Sequence, residues 1–284
     1  MSPSIRTFKN PRVVAIGGIV LLLAAAAAWH FDRYRKIPIE HAINPVWWYR
    51  HIEGTDLYDP STAMLYHGNP KYHEVALTID DGPNRIYGPK ILNVLENYHV
   101  PATFFVVGVR VKDDPSLIRQ MVTDGDEVAN HTYDHQRLNR LKPHQIANEL
   151  RDDDVNIFKA AGVHTTVMRP PGEDFNNTVL HVNKALGYVT VFWTDAAKDY
   201  LNQSPDWIAA RIMDRVENGS IILLHQDTPD TAEALPAIIT KLKAQGYQFV
   251  TINTMLAHLG VQPYASQPQL PTPAQTPAKL AGAS

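Results

Sequence analysis

From residue 75 onward the chain alternates between two hydrophobic periods. Short β-branched or aromatic runs recur at Val75–Ile79, Thr103–Val107, Glu127–Asn130, Thr166–Met168, Tyr188–Phe192, Ser220–Leu224 and Gln248–Thr251. The run Ile221-Ile222-Leu223-Leu224 is apolar throughout, as a strand covered on both faces is. Between these runs, apolar residues fall at helical spacing over Pro89–Tyr98, Pro115–Thr123, Pro143–Ala161, Thr178–Leu186, Pro205–Glu217 and Ala232–Gln245. Several of these segments open with a proline, which suits the first helical turn because its missing N–H has no intrahelical partner there. Strand and helix in regular alternation are the signature of βα units around a parallel sheet. Seven such units predict an α/β fold of the distorted (β/α)7, TIM-barrel-like kind, one unit short of a full barrel.

The flanks read differently. Residues 1–12 carry Arg6, Lys9 and Arg12 ahead of an uncharged apolar run over 13–29 (VVAIGGIVLLLAAAAAW). This pattern predicts export across a membrane, with 13–29 either kept as an anchor or cleaved as a signal peptide near Ala24–Ala28. Residues 30–65, with Pro38, Pro45, Pro60 and Trp47-Trp48-Tyr49, read as a stalk; 66–260, which holds the alternating elements, reads as one domain; 261–284, rich in Pro, Gln and Ala, is expected to be disordered. The 66–260 domain is therefore expected outside the cytoplasm, anchored or secreted.

Composition narrows the chemistry. A formal net charge of -3 without a basic run offers no footprint for nucleic acid. The absence of cysteine excludes disulfides, thiolate ligands and cysteine nucleophiles, so any metal must be held by His, Asp or Glu.

Polar motifs follow predicted strands in a fixed order: Asp80-Asp81-Gly82-Pro83, His131-Thr132-Tyr133-Asp134-His135, Arg169-Pro170-Pro171-Gly172, Asp199-Tyr200 and Leu223-Leu224-His225. Strand C-termini form the catalytic rim of a βα barrel, so residues far apart in sequence should meet there. Asp80 and Asp81 end an apolar strand and need a cation nearby. Because successive strand residues point to opposite sides, one is expected to bind metal and the other to handle protons. His131 and His135, four apart, share a face if the chain turns helical, and with one carboxylate would make a two-histidine, one-carboxylate set with open positions. Arg169 could bind a carboxylate, Asp199 could partner a histidine or arginine, and His225 paired with such an acid could donate a proton. For contrast, Asp113-Asp114 and Asp152-Asp153-Asp154 read as solvated acids in a loop and on a helical surface. Trp193, Tyr200, Tyr133 and Phe175 are candidates for stacking on sugar rings.

With these motifs in order, the chain from about Tyr66 to Gly260 resembles the polysaccharide deacetylases of carbohydrate esterase family 4, which carry the NodB homology domain. Thr78-Ile79-Asp80-Asp81-Gly82-Pro83 is similar to the family's first motif and His131–His135 to its second, and the Arg169, Trp193–Tyr200 and Leu223-Leu224-His225 segments follow as third to fifth. The resemblance implies that Asp80 is the general base, that Asp81, His131 and His135 ligate a divalent metal, and that Arg169 orients Asp80. It also implies that Asp199 tunes His225 as general acid. Zn2+ is the expected ion, with Co2+, Ni2+, Mn2+ or Fe2+ also suited to these ligands. The substrate is expected to be an N-acetylated glycan, peptidoglycan or another envelope polymer, with the oxyanion met by metal and a backbone N–H near Pro171–Glu173. Two departures stand out: Gly172-Glu173-Asp174 where many relatives have Tyr-Gly, and Tyr200 where Trp is frequent. The alternatives are an O-acetyl esterase or other small-amide hydrolase, and an inactive glycan-binding module; oligomeric state is left open.

Overall fold

The structure, a computed structural model, describes residues 57–201 and 203–262. The predicted membrane segment 13–29, most of the stalk and nearly all of the tail lie outside the described residues. Among the described residues no helix is long and apolar enough to cross a membrane.

The strands are β1 (Tyr58–Asp59), β2 (Met64–Leu65), β3 (Glu74–Gly82), β4 (Thr103–Val106), β5 (Glu127–Asn130), β6 (Val167–Met168), β7 (Val189–Val191), β8 (Asp195–Ala196), β9 (Ser220–His225) and β10 (Gln248–Phe249). The helices are α1 (Gly88–Tyr98), α2 (Gly108–Asp113), α3 (Pro115–Asp124), α4 (Pro143–Ala161), α5 (Asn177–Ala185), α6 (Pro205–Met213), α7 (Pro229–Ala244) and α8 (Ile252–His258). The sheet runs β1-β2-β7-β6-β5-β4-β3-β9-β8, and every pairing along it except β1 with β2 is parallel. This is a curled α/β half-barrel, in keeping with the predicted (β/α)7 class.

Two differences from the sequence reading have plain causes. The seventh predicted strand, Gln248–Thr251, shrinks to β10 and pairs with Glu74 and Val75 at the start of β3 instead of extending the sheet's edge. The sheet instead recruits β2 beside β7, from the stretch read as stalk; two-residue strands are too short to show alternation.

The central strand β3 is apolar because it is covered on both sides. Val75, Leu77 and Ile79 face α1, α3 and α7 through Ile91, Leu92, Ile118, Leu235 and Ile239, whereas Ala76 lies inside the curl with Phe105, Val167 and Ile221. Helix starts follow local chemistry: Ser204 Oγ accepts from Trp207 N–H at 3.3 Å at the head of α6, and Asn176 Oδ1 accepts from Val179 N–H at 3.0 Å at that of α5.

Candidate active site

All five motifs end on the same rim. Asp80 and Asp81 lie near the end of β3, His131 and Arg169 directly follow β5 and β6, Asp199 sits in a 3-10 turn after β8, and His225 ends β9.

The aspartates do not sit as an unbroken strand would place them. Between Ile79 and Gly82, β3 spends one residue more than β4 does between Phe104 and Val106, which is a β-bulge. Asp81 takes the left-handed backbone, φ 67°, a conformation that aspartate tolerates better than most residues. The bulge cancels the strand alternation, so the expectation that the two acids point to opposite sides fails. Asp80 Oδ2 lies 3.9 Å and Asp81 Oδ1 3.6 Å from the same atom, His131 Nε2.

The histidines also meet by a route other than the one predicted. The chain after β5 is a loop, not a helix, with left-handed Thr132 (φ 69°) and His135 (φ 63°). Those two turns bring the imidazole centroids to 5.0 Å. Five successive amides of this loop donate to side-chain oxygens: His131 to Asp153 Oδ2 at 3.1 Å, Thr132 to Asn130 Oδ1 at 2.9 Å, Tyr133 and Asp134 to Glu149 Oε2 at 3.1 Å each, and His135 to Thr132 Oγ1 at 3.1 Å. Asp153 and Glu149 are therefore buried supports; Asp153 and Asp154 are not the solvated acids the sequence suggested, and Asp154 receives His164 Nδ1 at 2.7 Å. Their signal was present in the spacing Ile146, Leu150, Asp153, Ile157, which places Asp153 on the buried face of α4.

The donor set fits a cation. His131 Nδ1 lies 2.8 Å from the Arg169 carbonyl oxygen and must donate to it, which leaves the Nε2 lone pair pointing at the aspartates. Asp81 Oδ1 is buried and accepts no aligned hydrogen bond, although His135 Nε2 is 3.0 Å away. One ligand atom from each of Asp81, His131 and His135 lies within 4.8 Å of the others. Burial opposes ionisation of Asp81, but the adjacent His135 and His131, with His225, outweigh it and hold the carboxyl below its usual range. Burial depresses the His131 pKa despite Asp80 and Asp81, favouring the neutral ring that a metal needs.

Asp80 and His225 flank this triad, each held by a charged partner. Arg169, 1% exposed, donates from Nη1 to Asp80 Oδ1 at 2.6 Å and to Thr78 Oγ1 at 2.9 Å, and its guanidinium lies 4.1 Å from the Phe105 ring centroid. Thr78 entered the sequence reading as the first residue of the first motif, with no role of its own, and Phe105 only as one residue of a predicted strand. On the other side, Asp199 Oδ1 receives His225 Nδ1–H at 2.8 Å, and Oδ2 receives the His225 amide and the Thr231 hydroxyl, each at 2.6 Å. Burial disfavours the charged His225 ring, but Asp199, then Asp80 and Asp81, reverse this and raise its pKa to about 9. His225 pairs in register with Asp80, so the two backbones are about 4.8 Å apart, the spacing of adjacent strands.

Of the aromatic candidates, Phe175 is packed on Phe192 at 4.9 Å, and Trp193 lies against the Arg169 guanidinium at 5.5 Å. Tyr200 is exposed and meets His225 edge-on at 5.4 Å, while Tyr133 is only partly exposed. Near the third motif, the Glu173 N–H donates to Pro170 O at 3.1 Å in a tight turn.

The polysaccharide deacetylase family model matches residues 67–191. The chain is 37% identical over 196 residues to the peptidoglycan-N-acetylmuramic acid deacetylase PdaA of Bacillus subtilis, covering 68% of this chain and 74% of that protein. It is 34% identical over 189 residues to a peptidoglycan-N-acetylglucosamine deacetylase of Bacillus cereus, covering 65% and 88%. Among solved structures it resembles a family 4 pseudoenzyme from Bacillus anthracis, with a TM-score of 0.67, 33% identity and 70% of each chain covered. The chain belongs to the polysaccharide deacetylases, the family 4 carbohydrate esterases, and is a hydrolase of that family.

Proposed function

We propose that this protein is a metal-dependent N-deacetylase of an N-acetylated envelope glycan of the peptidoglycan type, working outside the cytoplasmic membrane. The convergence of Asp81, His131 and His135 between an Arg-held aspartate and an Asp-held histidine carries this reading. The names of the relatives support the glycan. The apolar segment 13–29 supports the location.

A divalent ion held by Asp81, His131 and His135 would bring an acidified water and a Lewis acid to the acetamide carbonyl. Asp80, with Oδ1 fixed by Arg169 and Oδ2 turned to the rim, takes the proton of the attacking water. His225, its Nδ1 tied to Asp199, presents Nε2–H to the departing sugar amine. With a pKa near 9 it is protonated at neutral pH, as a general acid must be. Hydrolysis yields acetate and a free amino sugar.

The pseudoenzyme neighbour means that the fold alone does not guarantee turnover, so the reading rests on these side chains. The test is acetate release, with metal supplied, from peptidoglycan, chitin oligomers and acetylated xylan. Release from peptidoglycan, abolished by Asp80→Asn, is expected. Release from xylan alone would favour the esterase alternative, and glycan binding without acetate from any of the three would favour an inactive module.

A further inference from the structure

Beyond His131, whose N–H also donates to Val106 O at 2.9 Å, the loop that carries both histidines has no regular backbone ladder to shape it. Its amides are instead held by one face of α4: Glu149 takes the Tyr133 and Asp134 N–H groups, and Asp153, one turn on, takes that of His131. Between them the Leu150 carbonyl receives Asn130 Nδ2 at 2.9 Å, and Asn130 in turn takes the Thr132 N–H. On the opposite side, Thr132 O and Tyr133 O accept the first amides of α2, from Gly108 at 3.0 Å and Val109 at 2.8 Å. Two left-handed residues, Thr132 and His135, stand in this stretch, and such backbones persist only where the surroundings over-determine them. Glu149 and Asp153 are buried although neither meets a cationic side chain within ion-pair distance among the described residues. Burying two carboxylates is costly, so a helix that does so against one loop is shaping that loop.

We propose that Glu149 and Asp153 are positioning residues for a divalent cation, which preform the 131–135 loop so that His131 and His135 face Asp81 before any ion arrives. This inference rests on the reading that Asp81, His131 and His135 bind metal. Their carboxylates reach this loop through its backbone amides, with Gln136 Nε2 donating at 3.4 Å to the other Glu149 oxygen, so an acceptor oxygen, not a charge, is what the site requires.

Cobalt affinity of the folded protein, measured by competition with a chromophoric chelator, together with the visible cobalt spectrum, tests it. Glu149→Ala is expected to weaken cobalt binding by roughly 10–100-fold and to alter the spectrum, the loss typical of removing support behind a ligand. Glu149→Gln, which keeps an acceptor oxygen, is expected to restore affinity to within about threefold of wild type, below the smallest of those losses. Equal affinity in Glu149→Ala and wild type, or equal losses in Gln and Ala, would overturn it. If Glu149→Ala does not fold, amide exchange on the wild-type protein decides: protection of Tyr133 and Asp134 in the metal-free state supports preformation, and unprotected exchange there overturns it. A wild type that binds no cobalt would sink the metal reading itself, whereas a wild type that binds and a Glu149→Ala that binds equally sinks this inference alone.

Discussion

Single residues decide the chemistry here, and His225 shows how. Alone at the end of an apolar strand it reads as a core histidine; held by Asp199 through ring and backbone, it carries a raised pKa. The alkaline limb of the pH–rate profile should therefore belong to His225, and Asp199→Asn should move that limb to lower pH; an unmoved limb would contradict the assignment. The same pair acts on stability. A histidine whose pKa rises from 6.5 to about 9 on folding contributes most below pH 6.5, and the contribution fades as pH climbs through 9. In metal-free protein, denaturant titrations should find the gap between wild type and Asp199→Asn largest near pH 6, up to about 3 kcal/mol, and narrowing toward pH 10. Asp80, Arg169 and His225 were legible because each directly follows a short apolar run, whereas His131, His135 and Asp199 were read from their place in an ordered set of motifs. Asp153 was not, because a run of three aspartates looks solvated until the helical register of Ile146, Leu150 and Ile157 is laid over it. Nor could spacing reveal the bulge at Asp81, which depends on how β3 pairs with β4.

Elements were legible in proportion to their length. The starts of α3, α4 and α6 at Pro115, Pro143 and Pro205 were readable from the prolines, whereas α2 and α8, of six and seven residues, were too short for a period to register. The junction between β3 and β9 shows what local sequence hides. Gly219 (φ 84°) donates to Glu74 O at 2.7 Å and accepts from Gly68 N–H at 2.8 Å, and a Cβ there would lie 2.7 Å from Gly68 O. Gly219→Ala should cost about 1–2 kcal/mol from its backbone alone, with the clash adding to it. Thermal unfolding should show the loss, while cobalt affinity of the folded fraction stays unchanged, since the substitution lies at the far end of β9 from His225.

At the scale of the whole molecule, the α/β class followed from alternation alone, but the edge of the sheet did not. Met64 and Leu65, 1% and 0% exposed, pair with β7 and fill the core from a stretch that sequence assigned to a stalk. A chain beginning at residue 66 should therefore fold poorly compared with one beginning at residue 54, since losing two such side chains costs about 2–5 kcal/mol each. Melting curves of the two would show it, and equal stability would contradict the placement of β2. The proposed function stands on the rim as a unit, one cation held by Asp81, His131 and His135 between two proton carriers. Metal content and acetate release, measured together on wild type, Asp81→Ala and His225→Ala, decide it. One ion per wild-type chain is expected, with loss of ion and activity together in Asp81→Ala and an ion without turnover in His225→Ala. Full metal content in Asp81→Ala, or undiminished acetate release by either variant, would contradict it.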